Sequence, residues 1–336
     1  MTALQAFFGN LDNTHNPTHA AEIAIRMLSL SPKDGLDRQL PNGNRLFNLA
    51  IRFQNDKLVQ ELYNGGINTE ERDSTSEHRS SLELFCLYGV RDVGILKNLI
   101  KTCRNLSELD FDGLSLLHLA ANSGLVKVAR ELLDGGIDVN IKSREGVTAL
   151  CHAVNAGHTS IVELLLDNDA TTKDCPAEKH YMHSPLSCAP NITTCRLLAD
   201  RGLNDWTERT ECSFRSPFVP GFTDPRSRQS TTSAWSSNVR QLTPLHHHAF
   251  RGSLEVIKYV VEHVKDVDLD IEAERGIRPL FLAILNERTS IVRYLLEQGA
   301  RPDGVYQPTQ WTMLHLAAHL GNVEIVTILL GFGAGM

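Results

Sequence analysis

Three histidines, His118, His246 and His315, occupy the same place in a recurring phrase, and His247 and His248 directly follow the second of them. Imidazole can ligate a metal or pass a proton near neutral pH. A second group, Cys175, His180, His183 and Cys188, has the ligand types of a closed tetrahedral zinc site. Its spacing matches no standard knuckle, and consecutive helical residues such as His247 and His248 point about 100° apart. Neither group is therefore expected to hold a metal, and no cofactor is expected. The ionisable residues Asp112, Glu145, His180, His183, Arg251, Glu274 and His319 are the remaining candidates for acid–base work. A histidine beside a carboxylate in a partly dry pocket can do such chemistry. No phosphate-cradling glycine loop, Gly-x-Ser-x-Gly, Cys-x-x-Cys or His-Glu-x-x-His accompanies them.

What positions these residues is a repeat. Ser115-Leu116-Leu117-His118-Leu119-Ala120-Ala121 returns as Thr243-Pro244-Leu245-His246-His247-His248-Ala249 and as Thr312-Met313-Leu314-His315-Leu316-Ala317-Ala318. Gly124, Gly252 and Gly321 follow at a fixed offset, and then an apolar helical run such as Ile325-Val326-x-Ile328-Leu329-Leu330. The hydroxyl at the head of each phrase can cap a first helix, the glycine ends it, and Val128, Ala129, Leu132 and Leu133 stripe a second. The phrase resembles the ankyrin repeat. Its Thr-like place falls on Arg45, Ser80, Ser115, Thr148, Ser184, Thr243, Arg278 and Thr312, at steps of 33 to 36 residues apart from one. The repeat at 184 lacks the glycine turn (Ala189-Pro190-Asn191-Ile192) and reads as about three residues short.

The resemblance implies an all-α ankyrin-repeat solenoid of stacked helix-turn-helix units with β-turn or hairpin tips. Residues 1–40 are read as an N-terminal capping helical segment, with Ala21–Leu28 as the second helix of a degenerate unit. Residues 41–204 carry five repeats and 241–336 three more. Between them, the step from Ser184 to Thr243 is 59 residues, which leaves an insert over 205–240. The insert is rich in Ser, Thr, Arg and Pro yet holds Trp206, Phe214, Phe218, Phe222 and Trp235. The expectation is that it folds back against Tyr181, Phe250 and Arg251. The resemblance also gives the motif histidines a structural role, bonding to neighbouring backbone, and extends that role to His158 at an inter-helix turn.

Composition narrows the partners. The net charge is -7 over 336 residues, which argues against nucleic acid. No apolar run is long enough for a membrane span, and no signal peptide is visible. Seven cysteines without short-spaced pairs fit free thiols and a cytoplasmic or nuclear location, and so make the sequons at Asn105 and Asn191 chance matches.

In ankyrin arrays the turn tips and the solvent side of the first helices line a groove. The resemblance places Phe53, Tyr88, Phe111, Asp112, Arg144, Tyr181, His183, Phe250, Arg251, Arg275, Trp311 and His319 there, with Asn122 and Asn155 beside them. Aromatic residues make up only 6% of the chain, so six in these columns point to binding anchors. The function expected is a scaffold that holds a protein partner in this groove. The alternative is a small-molecule pocket, or an enzyme, closed by the insert. The last repeat keeps an interior pattern at Ile325, Ile328 and Leu329, so the expectation is either that the natural chain continues or that this end meets another subunit by self-association.

Overall fold

The structure, a computed structural model, describes residues 46–52, 54–67, 69, 79–89, 92–171, 184–212, 239–307 and 310–335. The 1–40 segment, Phe53, Cys175, His180, Tyr181, His183 and most of the insert, with Phe214, Phe218, Phe222 and Trp235, lie outside them. The chain divides into two compact units, residues 1–171 and 172–336.

In the first unit the helices come in pairs: α1 (Leu46–Arg52) with α2 (Asp56–Asn64), α3 (Ser81–Tyr88) with α4 (Val93–Thr102), α5 (Leu116–Asn122) with α6 (Val126–Asp134), and α7 (Ala149–Ala156) with α8 (Thr159–Asp167). The first helices stack in order, α1 on α3, α3 on α5 and α5 on α7, and second helices stack as α4 on α6 and α6 on α8. The small residues of the phrase make this possible. Ala120, Ala121, Ala149 and Ala153 are fully buried, so neighbouring backbones approach closely. Leu117, Leu132, Leu150 and Leu165 fill the space between pairs, each contributing roughly 1.5–3 kcal/mol by burial.

The second unit follows the same plan. Its pairs are α9 (Pro185–Cys188) with α10 (Ile192–Asp200), α11 (Pro244–Arg251) with α12 (Leu254–His263), α13 (Pro279–Leu285) with α14 (Thr289–Glu297), and α15 (Met313–His319) with α16 (Val323–Gly331). Two short antiparallel hairpins stand at the turns. β1 (Thr210–Cys212) pairs with β2 (Val239–Leu242), and β3 (Val305–Tyr306) pairs with β4 (Trp311–Thr312). The described ends of the insert are thus the two strands of a hairpin, and Leu242 leads directly into the Thr243 cap. Arg209 pins this hairpin to the next turn, donating to Gln241 Oε1 (3.2 Å) and to the Glu272 carbonyl (3.1 Å).

The motif histidines act as the resemblance implies. Nδ1 of His118 accepts from the Ser115 backbone N–H at 3.2 Å and lies 2.7 Å from Ser115 Oγ. That fixes the ring proton on Nε2, which donates across the repeat junction to the Val147 carbonyl at 2.8 Å. His246 repeats the arrangement with Thr243 and, at 3.0 Å, the Ile277 carbonyl. His315 makes the same cap with Thr312 but is exposed. His158 lies 3.1 Å by Nε2 from the Asn122 carbonyl.

The inter-helix turn demands a left-handed backbone. Gly124 supplies it at φ 75°, and a Cβ there would sit 2.7 Å from the His158 ring. Gln54 and Glu287 hold the corresponding place at φ 52° and 54°. Each uses its side chain to reach the next repeat, Gln54 to the Tyr88 carbonyl (3.2 Å) and Glu287 to Asn322 Nδ2 (2.9 Å). Those bonds offset part of the strain of a non-glycine residue in this region.

Candidate functional site

In the first unit the tips are built by a ladder of turns. Asp110 is buried, and its Oδ1 accepts from Leu114 N at 2.8 Å, which closes the turn. Arg79, one repeat earlier, grips both carboxylates of this turn: Nη1 meets Asp110 Oδ2 and Nη2 meets Asp112 Oδ2, each at 2.7 Å. Burial works against the charge on Arg79, but the two carboxylates outweigh it and raise its pKa. From the other side Arg144 N donates to the Gly113 carbonyl at 2.8 Å, and Arg144 Nη1 donates to the Phe111 carbonyl at 3.4 Å. Gly113 lets the Arg144 stem lie against the turn, because a Cβ there would meet Arg144 Cβ at 2.5 Å. Phe111 sits at the tip of this braced turn, 68% exposed.

The structure therefore brings Phe111, Asp112, Arg144 and its exposed neighbour Glu145 together on one surface of the first unit, with Tyr88 39% exposed at the end of α3. Asn122 and Asn155 are exposed at the ends of α5 and α7. Asp112 is committed to Arg79, so it is a positioned acceptor and not a free base.

In the second unit the candidates separate. Trp311 is half-buried, and its ring meets exposed His319 edge-on, with centroids 5.1 Å apart. Glu274 and Arg275 are half-buried in a turn with Arg275 at φ 66°, and the Arg275 carbonyl accepts from Gln307 N at 3.1 Å. Phe250 is half-buried as well, and its carbonyl accepts from Arg288 Nε at 3.5 Å. Arg251 has a structural task. Helix α9 has only four residues, and carbonyls at its end are left for other donors. Arg251 Nη1 donates to the Cys188 carbonyl at 2.7 Å, and His248 Nε2 meets the Leu186 carbonyl at 2.8 Å. His248 is fully buried, and Trp206 packs beside it at 6.1 Å between centroids. Burial, with the Arg251 charge adding, pushes the His248 pKa down to about 4. His248 thus replaces helix backbone that the shortened repeat lacks.

No group of three or more His, Cys, Asp or Glu able to hold a metal occurs among the described residues. Two recesses open in the first unit. One, of about 220 Å³, is lined by residues including Ser80, Glu83, Cys103 and Arg104. The other, of about 370 Å³, is lined by Gln54, Phe85, Tyr88, Gly89 and Leu125 among others. Tyr88 alone of the candidates lines either. The thiol expectation needs a correction as well. Cys86, Cys103 and Cys195 are free thiols, but Cys151 is disulfide-bonded.

Sequence reasoning missed Arg79, Asp110 and the His248–Trp206 pair. Arg79 carried a faint signal, since a cation directly before a Ser cap faces the acidic turn one repeat on.

This architecture, stacked helix pairs with hairpin tips and, at His118 and His246, a histidine tying a cap to the next turn, defines a repeat-type interaction fold. The family model for ankyrin repeats matches residues 46–143, 86–174, 229–306 and 264–335, and the chain belongs to the ankyrin repeat family. Among curated relatives it is 28% identical over 241 residues to the ankyrin repeat domain-containing protein SAT10 of Stachybotrys chartarum, covering 67% of this chain and 12% of that protein. It is 26% identical over 244 residues to the E3 ubiquitin-protein ligase KEG of Arabidopsis thaliana, covering 66% and 15%. It is 33% identical over 100 residues to the human ankyrin repeat and SOCS box protein 11, covering 29% of each. The chain thus spans less than a third of each of these relatives. Ankyrin repeats mark a protein-interaction domain, and no described helix is long and apolar enough to cross a membrane.

Proposed function

We propose that this chain is a scaffold that holds a protein partner on the turn tips of its first unit, with Phe111 as the anchor. The observation that carries this reading is a large apolar ring, 68% exposed, on a turn braced from both sides by Arg79 and Arg144. A rigid aromatic flanked by charge fits the usual hot spot. Asp112, Glu145 and Arg144 supply a mixed-charge rim that suits a polypeptide better than a polyanion. A pocket closed by the insert finds less support. Asp112 and Arg251 are engaged in holding the fold.

A photo-crosslinking residue at position 111, used in the source cell, would identify the partner. Titration of the purified pair would follow. Phe111→Ala should weaken binding by about 2 kcal/mol, some thirtyfold, with an unchanged melting temperature. Unaltered affinity in Phe111→Ala would overturn the assignment.

A second contact is supported by Leu330 and Phe332, both exposed on the last repeat, which suit association between copies. Light scattering over a hundredfold concentration range tests it, and a constant monomer mass would exclude it. A cytoplasmic or nuclear location is proposed on the free thiols of Cys86, Cys103 and Cys195. Finding the Cys151-oxidised protein outside the cell would refute it.

A further inference from the structure

His152 stands in a column that five other repeats fill with leucine, namely Leu49, Leu84, Leu119, Leu282 and Leu316, all buried. It is half-buried, and its ring nitrogens have no hydrogen-bond partner among the described residues. Its ring meets the buried His118 ring edge-on, with centroids 5.3 Å apart and planes at 85°. His118 is the residue that ties the repeat at 115 to the repeat at 148 through the Val147 carbonyl. One imidazole therefore clasps the junction, and a second from the following repeat packs against it.

His118 is not placed to accept a second proton, and burial disfavours one on His152. Nδ1 of His118 already accepts from Ser115 N–H, so a proton there would set donor against donor. A proton on His152 would put a charge into a half-buried site with no anion bearing on it among the described residues. The helices paired with α5 and α7 bury apolar residues: Val128, Ala129 and Leu132 on α6, and Ile161, Val162 and Leu165 on α8. Asp110, in the turn before α5, acts on His118. His158, at the far end of α7, is bonded to the Asn122 carbonyl. Arg144 and Glu145, at the tip before α7, are exposed.

We propose that the His118–His152 contact is a pH-sensitive joint, which loosens the junction between the repeats at 115 and 148 when the medium turns from neutral to mildly acidic. Burial, with the charge of His118 adding, lowers His152 to about 4, and burial lowers His118 as well. The folded state thus binds protons less readily than the unfolded chain, where histidine titrates near 6.5. The stability this neutral pair contributes is complete above about pH 6.5 and is lost as pH falls through that value towards 4. Acid would then slacken the turn that presents Phe111 and Arg144, which links the joint to the partner reading while its test stays independent of it.

The test is amide exchange on the full chain at pH 7.5 and 5.5, corrected for intrinsic rates. Peptides over 116–122 and 149–156 should lose about tenfold protection at the lower pH, the factor that one proton-binding group moved from 6.5 to 4 generates. The junction between α13 and α15 serves as a reference, because Phe281 replaces histidine there. His152→Leu should remove most of the acid-induced loss. Equal protection at both pH values, or the same loss in His152→Leu, would overturn the proposal. Should that variant fold poorly, the imidazole resonances of the wild-type chain decide: a His152 midpoint above 6 rejects the joint, and one below 5 sustains it.

Discussion

The same substitution at two equivalent histidines separates the cap from the inter-repeat clasp. His246 and His315 both take the fourth place of the phrase, and both hold the Thr cap through Nδ1, at 3.2 and 3.3 Å from the backbone N. His246 is fully buried and reaches the Ile277 carbonyl at 3.0 Å, whereas His315 is exposed. Alanine at 315 should cost a cap, about 1 kcal/mol, with water replacing the lost ring. Alanine at 246 should cost the cap, remove one of the two hydrogen bonds to the Ile277 carbonyl (Ala273 N keeps the other, at 2.8 Å) at about 0.5–1.5 kcal/mol, and leave a cavity the size of an imidazole. The sum is about 3–5 kcal/mol, so the two variants should differ by about 2–4 kcal/mol. Urea unfolding with amide exchange read in α11 and α15 gives both costs, and the His246→Ala loss should extend into the turn before α13. Equal costs at the two positions would refute the view that these histidines bind one repeat to the next.

Two further outcomes follow from packing. Gly124→Ala should destabilise the first unit by about 1–3 kcal/mol, seen as a lower thermal midpoint, because φ is 75° and the new Cβ would strike the His158 ring. Trp206→Ala should cost about 3–5 kcal/mol and speed exchange in α9 and α11, because the indole is buried beside His248; unchanged exchange there would show that the hairpin stalk is not part of the core.

The repeat was legible because its chemistry is local. A Ser or Thr cap, a histidine three residues on and a glycine after the helix recur within one short phrase, and His118, His246 and His315 could be given their structural role from that phrase. The shortened repeat at 184 was readable too, since a missing turn glycine shows in the chain itself and α9 indeed stops at Cys188. Arg251 was not. Its column marks it as solvent-facing, and it is exposed, but its task arises 63 residues away at the Cys188 carbonyl. Asp112 was read as an ionisable group available to a ligand, and only the placement of Arg79 shows that its charge is already matched. His152 escaped notice because a histidine in a column that is mostly leucine, with His247 the one other, gives no regular spacing signal. Its meaning appears only when the ring of the preceding repeat is set against it.

The patched helix α9 has a bearing on how the polypeptide matures. Its Leu186 carbonyl is served by His248, which lies 62 residues further along. During synthesis, this stretch must therefore wait for the β1–β2 excursion and the head of the following module before its last turn can close. The two modules have in effect fused into a single act of folding, because the last turn of one is completed by a side chain of the other.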